Sequence, residues 1–222
     1  MHIKAIIFDL DNTLMDRDTT FRKYSEQFVN DHLGHLDPVT QAEIVADLKV
    51  RDADGYRDKQ AFFEEMVECL PWHKPLTASE IESYYNTHYM THACKMDDVD
   101  EVLAYCQRQG YLMAIMTNGK HHIQYEKMSL LQLGEQFHTV IVSEDAGMTK
   151  PDRRIYQMAL DKLEVEAENT VFVGDHPWND IWGANQIGIR GVWLRRYHGW
   201  DESLGMKPWK TIDQLNELLG II

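Results

Sequence analysis

The stretch Lys4-Ala5-Ile6-Ile7-Phe8-Asp9-Leu10-Asp11-Asn12-Thr13-Leu14 decides the fold of this chain. A compact apolar run leads straight into two aspartates one residue apart. An apolar run of this length, without alternation, suits a strand buried on both faces, as in a parallel sheet covered by helices. The aspartates then stand at the strand's C-terminal end, where open α/β sheets gather their ligands. Taken alone, Asp9 and Asp11 also read as a cap and turn after a strand.

Downstream, the pattern changes to helices from about Thr19 to His92. Phe21, Tyr24 and Phe28 share a face, and Asp37-Pro38 has the form of an N-cap with a first-turn proline. Phe62, Phe63, Met66, Val67 and Leu70 form a stripe closed by Pro71. Thr77-Ala78-Ser79-Glu80 is a capping box ahead of Ile81, Tyr84 and Tyr85. Four helices follow one another with no strand between them. Beyond Lys95, strands and helices alternate. Strands are predicted at Tyr111–Met116, Thr139–Val142, Thr170–Val173 and Gly191–Leu194, with helices between them and a last helix over Thr211–Leu219 opened by Thr-x-x-Gln. This order implies βαβ units and a doubly wound parallel sheet of five strands, a Rossmann-like α/β core, with an all-helical insertion after its first strand. The core is expected over residues 1–15 and 96–222 and the helical insertion over 16–95.

The chain has 222 residues, 44% hydrophobic and 26% charged, with a net charge of −14. Such a composition fits a folded globular protein and excludes a disordered one. An acidic surface repels polyphosphate backbones and anionic lipid, so neither nucleic acid nor a membrane is an expected partner. No apolar run reaches the roughly 20 residues of a membrane span, and the first residues read as a strand and not as a signal peptide, so the cytoplasm is the expected location. Cys69, Cys94 and Cys106 are odd in number and lie far apart, which fits reduced thiols and neither a disulfide framework nor a zinc site.

The polar residues that break the apolar runs all fall at strand ends. Asp9 and Asp11 follow the first strand, Thr117 and Asn118 the second, and Asp175 the fourth; Lys150 precedes the helix after the third. Four carboxylates, Asp9, Asp11, Asp175 and Asp180, cannot share a small site without compensation, because like charges at a few ångströms oppose one another's ionisation. A hard dication with oxygen ligands resolves the conflict. Magnesium suits best, since it takes one or two carboxylates, keeps waters and accepts a phosphate oxygen. Lys150 adds a point positive charge.

In order and spacing these residues resemble the four signature motifs of the haloacid dehalogenase superfamily. The first motif is Asp9-Leu10-Asp11-Asn12-Thr13-Leu14, and the second is Thr117 in Thr-Asn-Gly. The third is Lys150 in Lys-Pro, and the fourth is Gly174-Asp175-His176-Pro177-Trp178-Asn179-Asp180. The insertion after the first strand is similar to the branch with a helical cap. That branch holds small-molecule phosphatases, phosphosugar mutases and the dehalogenases themselves. Dehalogenases lack the second aspartate of the first motif and need no metal; Asp11 therefore places the expectation with the phosphatases. The resemblance implies Asp9 as a nucleophile that forms an aspartyl-phosphate, and Asp11 as the general acid and base. It further implies Thr117, Asn118 and Lys150 as the phosphoryl-binding groups, with Lys150 also steadying Asp9. Magnesium would be held by Asp9, the Asp11 main-chain carbonyl and Asp175, with Asp180 acting through water or behind them. The expected substrate is a small phosphorylated metabolite. A mutase-type phosphotransferase and a catalytically inactive phosphate-binding module are the alternatives.

The remaining conspicuous residues have plainer readings. His121-His122 opens a helix without a matched ligand pair and reads as surface, as does Arg195-Arg196-Tyr197-His198-Gly199-Trp200. His176 lies beside a candidate metal ligand. Tyr84, Tyr85 and Tyr89 read as the core and docking face of the helical segment rather than a base-stacking box.

Overall fold

The computed structural model describes residues 2–222, which form two compact units: residues 2–15 with 95–222, and Asp16–Cys94. In the first unit, six parallel strands make one sheet in the order β3-β2-β1-β4-β5-β6. They are β1 (Ala5–Phe8), β2 (Leu112–Thr117), β3 (Thr139–Val142), β4 (Thr170–Gly174), β5 (Arg190–Leu194) and β6 (Lys210–Ile212). All four residues of β1 are fully buried, because the strand is central. Phe8 pairs with Ile115 of β2 on one side and with Val173 of β4 on the other. This register brings the C-terminal ends of β1, β2 and β4 level, so residues 9, 117 and 175 share one edge of the sheet. The strand order reverses at β1, where a doubly wound sheet opens its crevice.

The helices of this unit are numbered after the four of the helical unit: α5 (Val99–Gln109), α6 (His121–Leu130), α7 (Ser143–Ala146) and α8 (Arg153–Leu163). α5 stops where the sequence placed its stop. Gly110 takes a left-handed φ of 76° and its N–H reaches the carbonyls of Cys106 and Gln107. α8 starts at Asp152, which accepts the Arg154 N–H, and lays Ile155, Tyr156, Ala159, Leu160 and Leu163 against Ala5, Ile7, Ala114, Met116 and Phe172 of the sheet.

The sixth strand replaces part of the helix predicted over Thr211–Leu219. Lys210–Ile212 pairs with β5, placing Ile212 beside Leu194 at 2% exposure. The open edge of β5 offers these residues a ladder, and a short 3-10 helix follows at Leu215–Gly220. Its capping box uses Gln214 and Glu217, so Thr211 does not cap it.

The second unit holds α1 (Arg17–Leu33), α2 (Pro38–Asp52), α3 (Lys59–Cys69) and α4 (Ala78–His88). Its caps follow the sequence: Asp37 accepts the N–H groups of Val39 and Thr40, and Thr77 and Glu80 bond reciprocally. Its core joins Phe21, Tyr24, Phe28, Phe62, Phe63 and Met66, with Tyr89 buried and Tyr85 stacked on it at 4.7 Å. A buried ion cluster lies beside this core. Asp52 accepts from Arg17 at 2.6 Å, from Lys59 and from the Gly55 N–H. The three cysteines are free thiols. Among the described residues no helix is long and apolar enough to cross a membrane.

Candidate active site

The residues after β1 turn back at once. The Leu10 carbonyl accepts the N–H groups of Thr13, Leu14 and Met15, and Asn12 sits at φ 58°, a left-handed conformation that asparagine tolerates better than most residues. Asp9 is anchored by its own N–H to the Val173 carbonyl at 2.9 Å. Its side chain is therefore aimed by backbone geometry, and the residue is 6% exposed.

Lys150 comes to meet it. Its ammonium donates to Asp9 Oδ1 at 2.6 Å and to Asp180 Oδ1 at 2.7 Å, and the residue is 5% exposed. A cis peptide joins Lys150 to Pro151. The Lys150 main chain is held on both sides by one amide: Asn118 Nδ2 donates to the Lys150 carbonyl at 3.0 Å, and the Lys150 N–H donates to Asn118 Oδ1 at 2.8 Å. The side chain of Asn118, expected to bind substrate, is engaged on both sides by the Lys150 main chain. Its two-sided amide matches the two groups of a peptide.

Asp180 lies on a π-helical turn, Pro177–Trp182, after β4. Besides Lys150 it accepts the His176 N–H at 2.9 Å. Gly174 makes room for it, since a Cβ there would overlap the Asp180 carboxyl group. Asp175 follows directly, 4% exposed, and its carbonyl accepts the buried Trp193 indole N–H at 2.9 Å. His176 turns its ring to the turn itself, where Nδ1 accepts the N–H groups of Trp178 and Asn179. His121 is on the surface, paired with Asp145 at 2.9 Å.

One carboxylate oxygen from each of Asp9, Asp175 and Asp180 lies within 4.8 Å of the others, and all three residues are buried. Three carboxylates against one ammonium leave the pocket negative. Burial pushes the Asp9 carboxyl up most strongly. Lys150 pulls it back and Asp180 pushes it up again, leaving it at about 7 against an ordinary 3.8. Burial pulls Lys150 down, but Asp180 and Asp9 together outweigh burial and hold it above its usual range, so it stays charged. A compact set of hard oxygen donors with excess negative charge fits a magnesium ion.

Asp11 faces a different set of groups. Lys127 donates to both its oxygens, at 2.7 and 2.8 Å, and Gln124 Nε2 donates to Oδ2 at 3.0 Å. Gln124 also reaches Thr117 Oγ1 at 2.5 Å. Thr117, at the end of β2, is 1% exposed. The side chains of Asp9, Lys150, Asp175 and Asp180 therefore come together as one group. Asp11 and Thr117 are joined through α6, and the Asp11 carboxylate does not enter the group of three.

Gln124 and Lys127 did not stand out in the sequence, yet a signal was present. Gln124, Lys127, Met128 and Leu131 form one helical stripe whose first two members are polar. All four are buried.

The model for haloacid dehalogenase-like hydrolases matches residues 6–194. The chain is 27% identical over 99% of its length to glyceraldehyde 3-phosphate phosphatase of Pyrococcus abyssi, covering 94% of that protein. It is 24% identical over 97% of its length to (S)-2-haloacid dehalogenase H-109 of Pseudomonas putida, covering 96% of it. The HAD-hydrolase YfnB of Bacillus subtilis, solved bound to magnesium, superposes with a TM-score of 0.76 at 21% identity, over 100% of this chain and 99% of that one. With the sheet, the strand-end carboxylates and a family match spanning most of its length, this chain belongs to the haloacid dehalogenase-like hydrolases.

Proposed function

We propose that the chain is a magnesium-dependent phosphatase that hydrolyses a small soluble phosphomonoester through an aspartyl-phosphate on Asp9. The observation that carries this reading is the division of the acidic residues. Asp9, Asp175 and Asp180 form one buried group in which Lys150 pairs with Asp9 and Asp180, while the Asp11 carboxylate is engaged by Lys127 and Gln124. A phosphoryl-transfer site needs both parts: a charged group that binds and attacks, and a separate carboxyl group that moves protons. A dehalogenase needs only the first, and the relatives include enzymes of both kinds.

In this reading a carboxylate oxygen of Asp9 attacks phosphorus. The Asp11 carboxyl group gives its proton to the leaving oxygen as the ester P–O bond breaks. Asp11 then takes a proton from water, whose oxygen attacks phosphorus and restores the Asp9 carboxylate. Lys150 keeps Asp9 oriented and offsets developing charge, and the Thr117 hydroxyl with nearby main-chain N–H groups binds phosphoryl oxygens. Asn118 contributes by holding the Lys150 main chain. Asp9, Asp175 and the Asp11 carbonyl would hold magnesium, with Asp180 fixed behind them by Lys150 and the His176 N–H. Bound magnesium supplies positive charge to the phosphoryl oxygens. The helical unit 16–94 is assigned the role of cap by the same resemblance.

The test is phosphate release from a panel of esters. Turnover is expected with magnesium and is lost with chelator and in Asp9→Asn. No release from any ester, in protein shown by calorimetry to bind magnesium, refutes the reading. Isomerisation of a sugar phosphate without free phosphate would make the enzyme a mutase.

A further inference from the structure

Asp11 follows β1 by three residues, on a loop that turns sharply around the Leu10 carbonyl. The groups that grip its carboxylate come from α6, more than a hundred residues away in the chain. Gln124 and Lys127 are three residues apart, so their side chains lie on one face of that helix. They are 1% and 6% exposed, whereas their neighbours His121, His122, Ile123, Tyr125 and Glu126 are exposed. Burial of a lysine on a surface helix is costly unless the charge is matched. Here the match is two contacts to a single carboxylate.

Gln124 adds the second constraint. Its amide nitrogen lies 3.0 Å from Asp11 Oδ2, 2.5 Å from Thr117 Oγ1 and 3.2 Å from the Asn118 carbonyl. A carboxylate and a carbonyl only accept, so the amide must turn its NH2 toward them. Gly119, at φ 149°, leaves the space this side chain occupies; a Cβ there would lie 2.9 Å from Gln124 Cδ. The turn after β2 is itself fixed by Ser143, which accepts the Gly119 N–H at 2.9 Å and donates to its carbonyl at 3.2 Å.

We propose that Lys127 and Gln124 are positioning residues that fix the orientation of the Asp11 carboxyl group for proton transfer, and that Gln124 ties that orientation to Thr117. The proposal rests on the phosphatase reading above. It states that α6, through these two side chains, sets how well Asp11 delivers a proton to the leaving oxygen as the ester bond breaks.

Leaving groups of graded basicity read this directly. A nitrophenolate departs with little protonation, whereas an alkoxide needs a proton, so only alkyl esters depend strongly on a well-aimed acid. The experiment measures kcat/KM, which reports steps up to aspartyl-phosphate formation, for 4-nitrophenyl, phenyl and simple alkyl phosphates with magnesium. Wild type, Lys127→Met, Gln124→Leu and Asp11→Asn are compared. Both α6 variants are expected to lose on the order of tenfold more activity on the alkyl esters than on 4-nitrophenyl phosphate. Added to Asp11→Asn, Lys127→Met is expected to cause no further alkyl-selective loss, because the lysine acts through that carboxyl group. Gln124→Leu removes no charge, so it reads the same difference if Lys127→Met does not fold. Equal losses across the series, or a further alkyl-selective loss when Lys127→Met is added to Asp11→Asn, overturn the inference and leave the phosphatase reading intact. A wild-type enzyme inactive on the whole series overturns both.

Discussion

Replacing Asp9 by asparagine removes the proposed nucleophile and also one of the two carboxylates paired with Lys150, so its effect on stability has a sign that can be worked out. Asp9 is held at about 7 against an ordinary 3.8, chiefly by burial. For a carboxyl raised in the folded state, the stabilising contribution is fully present below about 3.8 and is lost as pH rises through about 7. At pH 8, with magnesium chelated, Asp9 therefore opposes folding. At 1.36 kcal/mol per pKa unit, a carboxyl held that far up corresponds to roughly 4 kcal/mol. The pull of Lys150 is already contained in that figure, so the variant is favoured by about 4 kcal/mol. For a chain of this size that is a rise on the order of 10 °C in melting temperature. Thermal melts in chelator at pH 8 and pH 5.5 measure it. Asp9→Asn is expected to melt above wild type at pH 8, with the gap narrowing at pH 5.5. Magnesium is expected to raise wild type more than the variant. A variant that melts below wild type at pH 8 in chelator, or a gap independent of pH, refutes the electrostatic reasoning.

Three further outcomes follow from the same contacts. Lys150→Met leaves the Asp9 and Asp180 carboxylates facing each other in a buried pocket, and denaturant unfolding is expected to show a loss of about 3–5 kcal/mol. Gly174→Ala places a methyl group where the Asp180 carboxyl stands, so magnesium affinity by titration calorimetry is expected to fall by on the order of tenfold or more; unchanged affinity would show that Asp180 has no part in holding the metal. Asp52→Ala removes the carboxylate that Arg17 and Lys59 share in the helical unit, and the unfolding of that unit is expected to weaken by about 3 kcal/mol, with the Asp9 group untouched.

The core strands were legible because an unbroken apolar run has one comfortable environment, a strand covered on both faces, and β1, β2 and β4 occupy it. The polar residues at their ends were legible for the complementary reason. Asp9, Thr117 and Asp175 interrupt apolar runs where a parallel sheet exposes its C-terminal edge. β6 was not legible. Three residues with one buried side chain pair only because β5 leaves an open edge, which depends on the assembled sheet and not on local sequence. The contact of Asn118 with the Lys150 main chain was hidden because an amide before a glycine fits a turn, a ligand contact or a peptide clamp equally well. Lys127 and Gln124 were hidden by their type. Polar residues on a short helix usually face water, and only the tertiary position of Asp11 gives them reason to turn inward.

The covalent state of Asp9 during turnover tests the proposed chemistry most directly. Enzyme mixed with magnesium and a radiolabelled phosphate ester, quenched in acid and digested, is expected to carry hydroxylamine-sensitive label on the peptide containing Asp9. That label should be absent with chelator and in Asp9→Asn. Steady release of phosphate with no label on that peptide, or release undiminished in Asp9→Asn, would contradict the assignment of Asp9 as the nucleophile.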